Sequence, residues 1–409
     1  MTDDAKRRIA ELFEKLADAL ESGADLAGLA EGAGGRRPRI GLTVLGSEHG
    51  PEEIIDGALR ALRQYSDLEV ALIGPSELAE SVRGVAGLRL YPAASEEEQH
   101  REMERLLDAG EIDACVTMHY NFPIGVSTVG RVVTPSRGRE MFIATTTGTS
   151  GTERVENMVK NAVYGIVAAK ASGVVEPTVG VLNIDGARQV ERALRKLSDA
   201  GYPIQFAESA RADGGAVMRG NDLLMATPDV MVCDSLTGNL LMKIFSAAST
   251  GGDYEATGYG YGPGIGEGYG RIIMILSRAS GAPVVAGAIR YAADLVKGGV
   301  HEVARVEFAA ARKAGWPEIG LPTGAGASAS APAQGDAAAA AESVEPPPKK
   351  VVTSDIAGVD ILQLEEAVSV LWGAGIYAET GMGCTGPVIM VADEDKDAAR
   401  KALESSGYL

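Results

Sequence analysis

Short apolar runs, each delivered into a polar or glycine-rich turn and mostly on into a helical pattern, recur along the chain from residue 40 to residue 233. The run at 40–45 ends at Gly46, and Pro51, Glu52 and Glu53 then open a helical spacing of Ile54, Ile55, Ala58, Leu59 and Leu62. Runs of the same kind stand at 69–73, 112–117, 141–145, 178–182, 204–206 and 229–233. A strand that is apolar along its whole length has to be covered on both faces, and strands that alternate with helices return by crossovers. The pattern therefore predicts an α/β fold built on a mainly parallel sheet with helices on both faces.

The periodic region is flanked by segments of other kinds. At 1–37, Ile9, Leu12, Phe13, Leu16 and Leu20 predict an amphipathic helix followed by a Gly/Arg-rich connector. The core spans 38–320. Residues 321–350 are Ala, Pro, Gly and Ser in the main, too poor in large apolar side chains to bury much surface, and read as a linker. Beyond it, 351–409 reads as a small αβα module: a helix at 362–371, a glycine-rich turn, a strand at 387–391 and a charged final helix.

Charge and composition exclude several functions. A net charge of −18 repels polyphosphate backbones, and no basic stripe offsets it, so a nucleic-acid partner is not expected. No apolar run reaches the roughly 18–20 residues of a membrane helix, and Asp3 and Asp4 stand where a signal peptide would be basic. The expected setting is cytoplasmic. Cys115, Cys233 and Cys384 are far apart in sequence and make neither a redox pair nor a zinc-ligand cluster, and no metal-ligand spacing occurs elsewhere.

Five places carry residues suited to chemistry. Cys384 lies in GIYAETGMGCTGPV at 375–388, where glycines let backbone amides approach a thiolate or an acyl oxyanion; a free cysteine is also a common packing residue. The strand at 229–233 delivers Asp234, Ser235, Thr237 and Asn239 into the start of a helix, with Lys243 one turn further on, an arrangement fit to bind an anion or simply to cap the helix. A second strand-to-helix turn presents Thr147, Thr149, Ser150 and Thr152, hydroxyls suited to phosphate at a helix N-terminus but without the lysine spacing of a nucleotide loop. The glycine- and tyrosine-rich stretch 258–270 reads as a lid or partner-facing loop. His49 and His119 follow strands and are possible acid or base groups, although a lone histidine more often serves structure.

With GPEEIIDGA at 50–58, Asn183 and Ile184 after the mid-chain strand, and DVMVCDSLTGN at 229–239 followed by Lys243, residues 39–314 resemble the phosphate acyltransferases. Their superfamily includes phosphotransacetylases and isocitrate dehydrogenase-like folds. With GMGCTGP at 381–387 added, the whole chain is similar to the alpha subunits of component C of the glycine/sarcosine/betaine reductase complex. That resemblance implies an acetyl group held as a thioester on Cys384 and released to inorganic phosphate as acetyl phosphate, with phosphate as substrate and no cofactor. It also implies a component C beta subunit, a selenoprotein component A carrying a carboxymethyl group, and an oligomer. The alternatives are a phosphate acyltransferase that uses acyl carrier protein, and a non-catalytic scaffold subunit.

Overall fold

In the computed structural model, the residues described are 36–150, 153–210, 214–317, 319, 346–348, 350, 352–359, 363–383 and 386–409. The expected helix around residues 9–20 and the stretch 321–345 of the expected linker lie outside the described residues. In chain order the core runs β1 (Arg39–Thr43), α1 (Pro51–Gln64), β2 (Glu69–Gly74), β3 (Leu88–Pro92), α2 (Glu96–Asp108), β4 (Ala114–Thr117), β5 (Val126–Val133) and β6 (Glu140–Thr149). It continues with α3 (Arg154–Ala171), β7 (Thr178–Leu182), α4 (Ala187–Asp199), β8 (Gln205–Phe206), β9 (Val217–Met218), α5 (Gly220–Leu224) and β10 (Val230–Val232). It closes with α6 (Ser235–Ala247), β11 (Gly262–Ile265), β12 (Ile273–Ile275), α7 (Ala282–Lys297) and α8 (Val300–Lys313). Each apolar run read from the sequence falls on a strand.

These strands form one 12-stranded sheet in the order β3-β2-β1-β4-β12-β11-β5-β6-β10-β7-β8, with β9 beside β7. Its two flanks are parallel, as expected. The centre is not: β11 is antiparallel to both β12 and β5, and β5 is antiparallel to β6. The two parallel flanks therefore run in opposite directions. On one face α1, α3, α4, α7 and α8 bury Ile54, Val159, Val190, Val285 and Phe308 against strand residues such as Leu42 and Val179. On the other face α2, α5 and α6 bury Met103, Leu223, Met242 and Phe245 over Ile143, Met231 and Ile273. Among the described residues no helix is long and apolar enough to cross a membrane.

The stretch 258–270 is not a lid. It contains β11, in the middle of the sheet, where Tyr261 is buried. The glycines are there for close approach: Gly262 has φ +93°, and a Cβ on it would stand 1.7 Å from the Val129 carbonyl oxygen.

Residues 354–405 differ from the expected αβα order. They hold β13 (Ser354–Ala357), α9 (Leu364–Gly373), β14 (Ala378–Gly383), β15 (Gly386–Val391) and α10 (Lys396–Ser405). The three strands pair antiparallel in the order β13-β15-β14, and Ile356, Leu371, Ile389 and Leu403 make a separate core. β13 and β14 lack an apolar run because glycine and polar residues fill them, so the periodicity test passes over both. The Trp372 indole donates to the Ala378 carbonyl (3.0 Å), tying α9 to β14.

This module sits on the core beside the segment that links β4 to β5. Gly381 forms an antiparallel bridge with Pro123, Asn121 Nδ2 approaches the Met390 sulfur at 3.7 Å, and β14 lies against β6. A cavity of about 500 Å³ remains between Pro123 and Ile124 on one side and Val368, Trp372 and Ala378 on the other.

Candidate functional site

The start of α6 is built as a cap. The Thr237 amide donates to Asp234 Oδ1 (2.9 Å), the Thr237 hydroxyl donates to Oδ2 (3.0 Å), and Arg154 Nη2 from the first turn of α3 donates to Oδ2 (2.7 Å). Asp234 and Thr237 thus spend their polar atoms on holding two helix starts together. Asn239 donates to the Thr146 carbonyl (3.2 Å), which fixes α6 against β6, and Ser235 stands half-buried in the first turn.

The hydroxyl-rich turn that follows β6 is also used internally. Ser150 is buried, and its hydroxyl donates to Asn161 Oδ1 (2.9 Å). The Thr147 carbonyl accepts from the Thr145 hydroxyl (3.1 Å) and the Thr128 hydroxyl (3.3 Å). Thr149 belongs to β6 and pairs with Val126, whereas Thr152 lies outside the described residues. Ser150, expected as a phosphate ligand, supports α3: strand β6 continues to Thr149, so the segment is sheet where the sequence reads as an open turn.

Lys243 parts company with this end of α6. About two turns of helix carry it to the carboxyl end of β12, where Nζ lies 3.4 Å from Ser277 Oγ and 3.8 Å from Glu255 Oε1, and 5.6 Å from the centre of the Tyr261 ring. Lys243, one turn beyond Asn239, thus also joins residues from another part of the chain. The carboxyl ends of β1, β4 and β12 meet here. The chain leaves β1 for β2 and β3 on one side while β4 lies on the other, which is the switch point where α/β sheets bind ligands.

Several polar groups gather at this edge. After β1, buried Gln99 accepts from the Val44 and Leu45 amides (2.8 and 2.7 Å) and shapes the loop, in which the Glu48 amide donates to the Arg278 carbonyl (2.9 Å). His49 stands edge-on to Tyr254, with ring centres 6.0 Å apart. After β4, His119 lies beside His100 of α2, with centroids 6.1 Å apart. Arg278 pairs with Glu96 at 3.3 Å and remains half-exposed, as does Lys243. Burial pushes the His100 and His119 imidazoles below their ordinary value of 6.5, and the Arg278 cation pushes the same way, which favours the neutral rings. Ser277, Arg278, Glu255 and His100 are absent from the sequence reading. Ser277 and Arg278 follow the apolar run at 272–276, so the strand-end rule that drew attention to Asp234 also points to them.

Cys384 lies outside the described residues. The β14–β15 ladder closes at Gly383 paired with Gly386, the residues that flank positions 384 and 385. Because the Pro123–Gly381 bridge is antiparallel, β14 runs beyond Gly381 back along the direction from Pro123 to His119. Asp355 of the same module acts on His119 through its charge. Cys115 and Cys233 are fully buried, and burial raises their thiols far out of the range where a thiolate forms near neutral pH. Among the described residues no cluster of His, Cys, Asp and Glu is arranged to hold a metal ion.

A sequence model of the family described as fatty acid synthesis protein matches residues 38–390. The chain is 54% identical over 406 residues, 99% of each protein, to the glycine/sarcosine/betaine reductase complex component C subunit alpha of Peptoclostridium acidaminophilum. It is 28% identical over 240 residues to a phosphate acyltransferase of Bacillus cereus, covering 50% of this chain and 70% of that one. Among solved structures it is similar to a branched-chain phosphotransacylase from Enterococcus faecalis, with 15% identity, 63% of this chain and 99% of that one covered, and a TM-score of 0.39.

Proposed function

The chain belongs to the fatty acid synthesis protein family and, within it, to the component C alpha subunits of the glycine/sarcosine/betaine reductase complex. From that premise we propose that it passes an acetyl group from a thioester on Cys384 to inorganic phosphate. Lys243 and Arg278 supply the positive charge that holds the phosphate at the carboxyl ends of β1, β4 and β12, and the Ser277 hydroxyl orients it. A phosphate oxygen attacks the thioester carbonyl carbon, the carbon–sulfur bond breaks, the Cys384 thiolate departs and acetyl phosphate forms. Little covalent help is needed beyond an oriented anion and donors for the oxyanion. His119, on the segment that the module docks against and biased toward its neutral form by burial, takes the proton when the thiol is next acylated.

The observation that supports this reading is the docking of the β14–β15 hairpin: Gly383 and Gly386, which flank Cys384, close its ladder, and β14 bridges the core at Pro123, on the same segment as His119. In a cytoplasmic complex the beta subunit and the selenoprotein component A complete the cycle, the latter delivering the carboxymethyl group from which the acetyl group derives. The test is intact-mass spectrometry of the protein after incubation with acetyl phosphate, followed by peptide mapping. An acetyl adduct on Cys384 that added phosphate discharges is expected. An adduct of the same yield on the Cys384→Ser protein, or unchanged acetyl phosphate formation by that variant in the assembled complex, would overturn the assignment.

A further inference from the structure

Behind Lys243 lies a carboxylate that the proposed chemistry leaves unused. Glu255 is 3% exposed. Its Oε1 accepts from the Tyr261 hydroxyl (2.9 Å) and stands 3.8 Å from Lys243 Nζ, while Oε2 accepts from the Ser280 hydroxyl (3.1 Å). A charge so deeply buried needs partners, and Lys243 is the cation it has among these contacts. The backbone around it is stitched to the same site. The Glu255 amide donates to the Ala279 carbonyl (3.0 Å), and its own carbonyl accepts from the Gly281 amide (2.9 Å), on the loop that follows Ser277 and Arg278. The Ala256 and Thr257 amides both donate to the Ser246 carbonyl on α6 (2.8 and 3.1 Å), less than one turn beyond Lys243. Glu255 thus joins the helix that carries Lys243 to the loop that carries Ser277.

We infer that Glu255 is a positioning residue for the anion seat: it holds the Lys243 ammonium against Ser277, with the Tyr261 hydroxyl fixing the carboxylate from the other side. The inference rests on the proposed role of Lys243 in binding phosphate. A lysine stem released from its partner regains its rotamer freedom, which corresponds to a loss on the order of tenfold in use of the anion.

The experiment measures steady-state acetyl phosphate formation by the assembled complex as phosphate is varied, for wild type, Glu255→Gln, Tyr261→Phe, Lys243→Ala and the Lys243→Ala/Glu255→Gln double variant, with thermal melts of each. Glu255→Gln is expected to lower kcat/KM for phosphate roughly tenfold and leave KM for the acyl donor unchanged; Tyr261→Phe shifts it the same way by less. Because Glu255 acts through Lys243, the double variant is expected to match Lys243→Ala alone. A merely structural Glu255 would instead lower the melting temperature and kcat, leave KM for phosphate in place, and add its effect fully to that of Lys243→Ala; any of these kinetic results overturns the inference. If Glu255→Gln does not fold, Tyr261→Phe in the wild-type and Lys243→Ala backgrounds decides by the same comparison. A Lys243→Ala protein with unchanged phosphate dependence overturns the site reading itself, a failure distinct from that of Glu255.

Discussion

Asp234 and Lys243 stand on the same helix and have separable roles. Asp234→Ala removes a cap and the partner of Arg154, so it is expected to cost about 1–2 kcal/mol of stability in denaturant unfolding while leaving KM for phosphate nearly unchanged. Lys243→Ala is expected instead to raise KM for phosphate roughly 10- to 100-fold, the value of a hydrogen bond to a charged group, and to cost stability as well, because the buried Glu255 carboxylate loses its cation. In the sequence both residues read as candidates of one site. Helical spacing sets Lys243 one turn beyond Asn239, but its partner Ser277 comes from 34 residues further along, and no local pattern reports such a contact. Ser150 shows the same limit from the other side, since a hydroxyl in a glycine-rich turn reads alike whether it faces solvent or a buried asparagine.

At the scale of elements, legibility followed burial. The apolar runs that became β1, β2, β4, β6, β7, β8 and β10 are visible because parallel strands covered on both faces have to be apolar throughout. β11 and β14 were missed because each is rich in glycine, which weakens any propensity signal while permitting backbones to approach closely. Gly262→Ala tests that account: a methyl group at φ +93°, 1.7 Å from the Val129 carbonyl, is expected to destabilise the protein by roughly 3 kcal/mol or more, seen as a lowered denaturation midpoint. Gly268, whose Cβ would meet nothing within 4 Å, is a control whose φ is also positive, +73°, and is expected to lose less under the same substitution.

For the whole molecule, the junction of module and core is one place where acidity acts. His100 and His119 face Glu96, Glu104 and Asp355, which favour protonation, and Arg278, which opposes it; burial dominates and leaves both folded-state values below 6.5. The unfolded chain therefore takes up protons that the folded one does not as pH falls past about 6.5. Their contribution to stability is complete above that pH and is lost as pH drops toward the lowered values. Melting temperature is expected to fall between pH 7 and pH 5.5, and a His100→Asn/His119→Asn protein to show a shallower slope. The α/β class and its mainly parallel sheet were legible in the sequence; the docking of the module was not, since a single strand bridge between Pro123 and Gly381 leaves no compositional trace.

The insertion of β11 and β12 between β4 and β5 governs how the protein is made. Thr117 has no partner on that side until Ile275 has been synthesised, and Thr128 waits likewise for Gly264. During translation two half-sheets leave the ribosome with open edges, and the long loop between them has to close before either edge is covered. The strands that complete the sheet are thus the last of the core to emerge, and with them come Glu255, Tyr261, Ser277 and Arg278. The nascent chain gains the last groups of the proposed anion seat, Ser277 and Arg278, only in the step that closes the sheet.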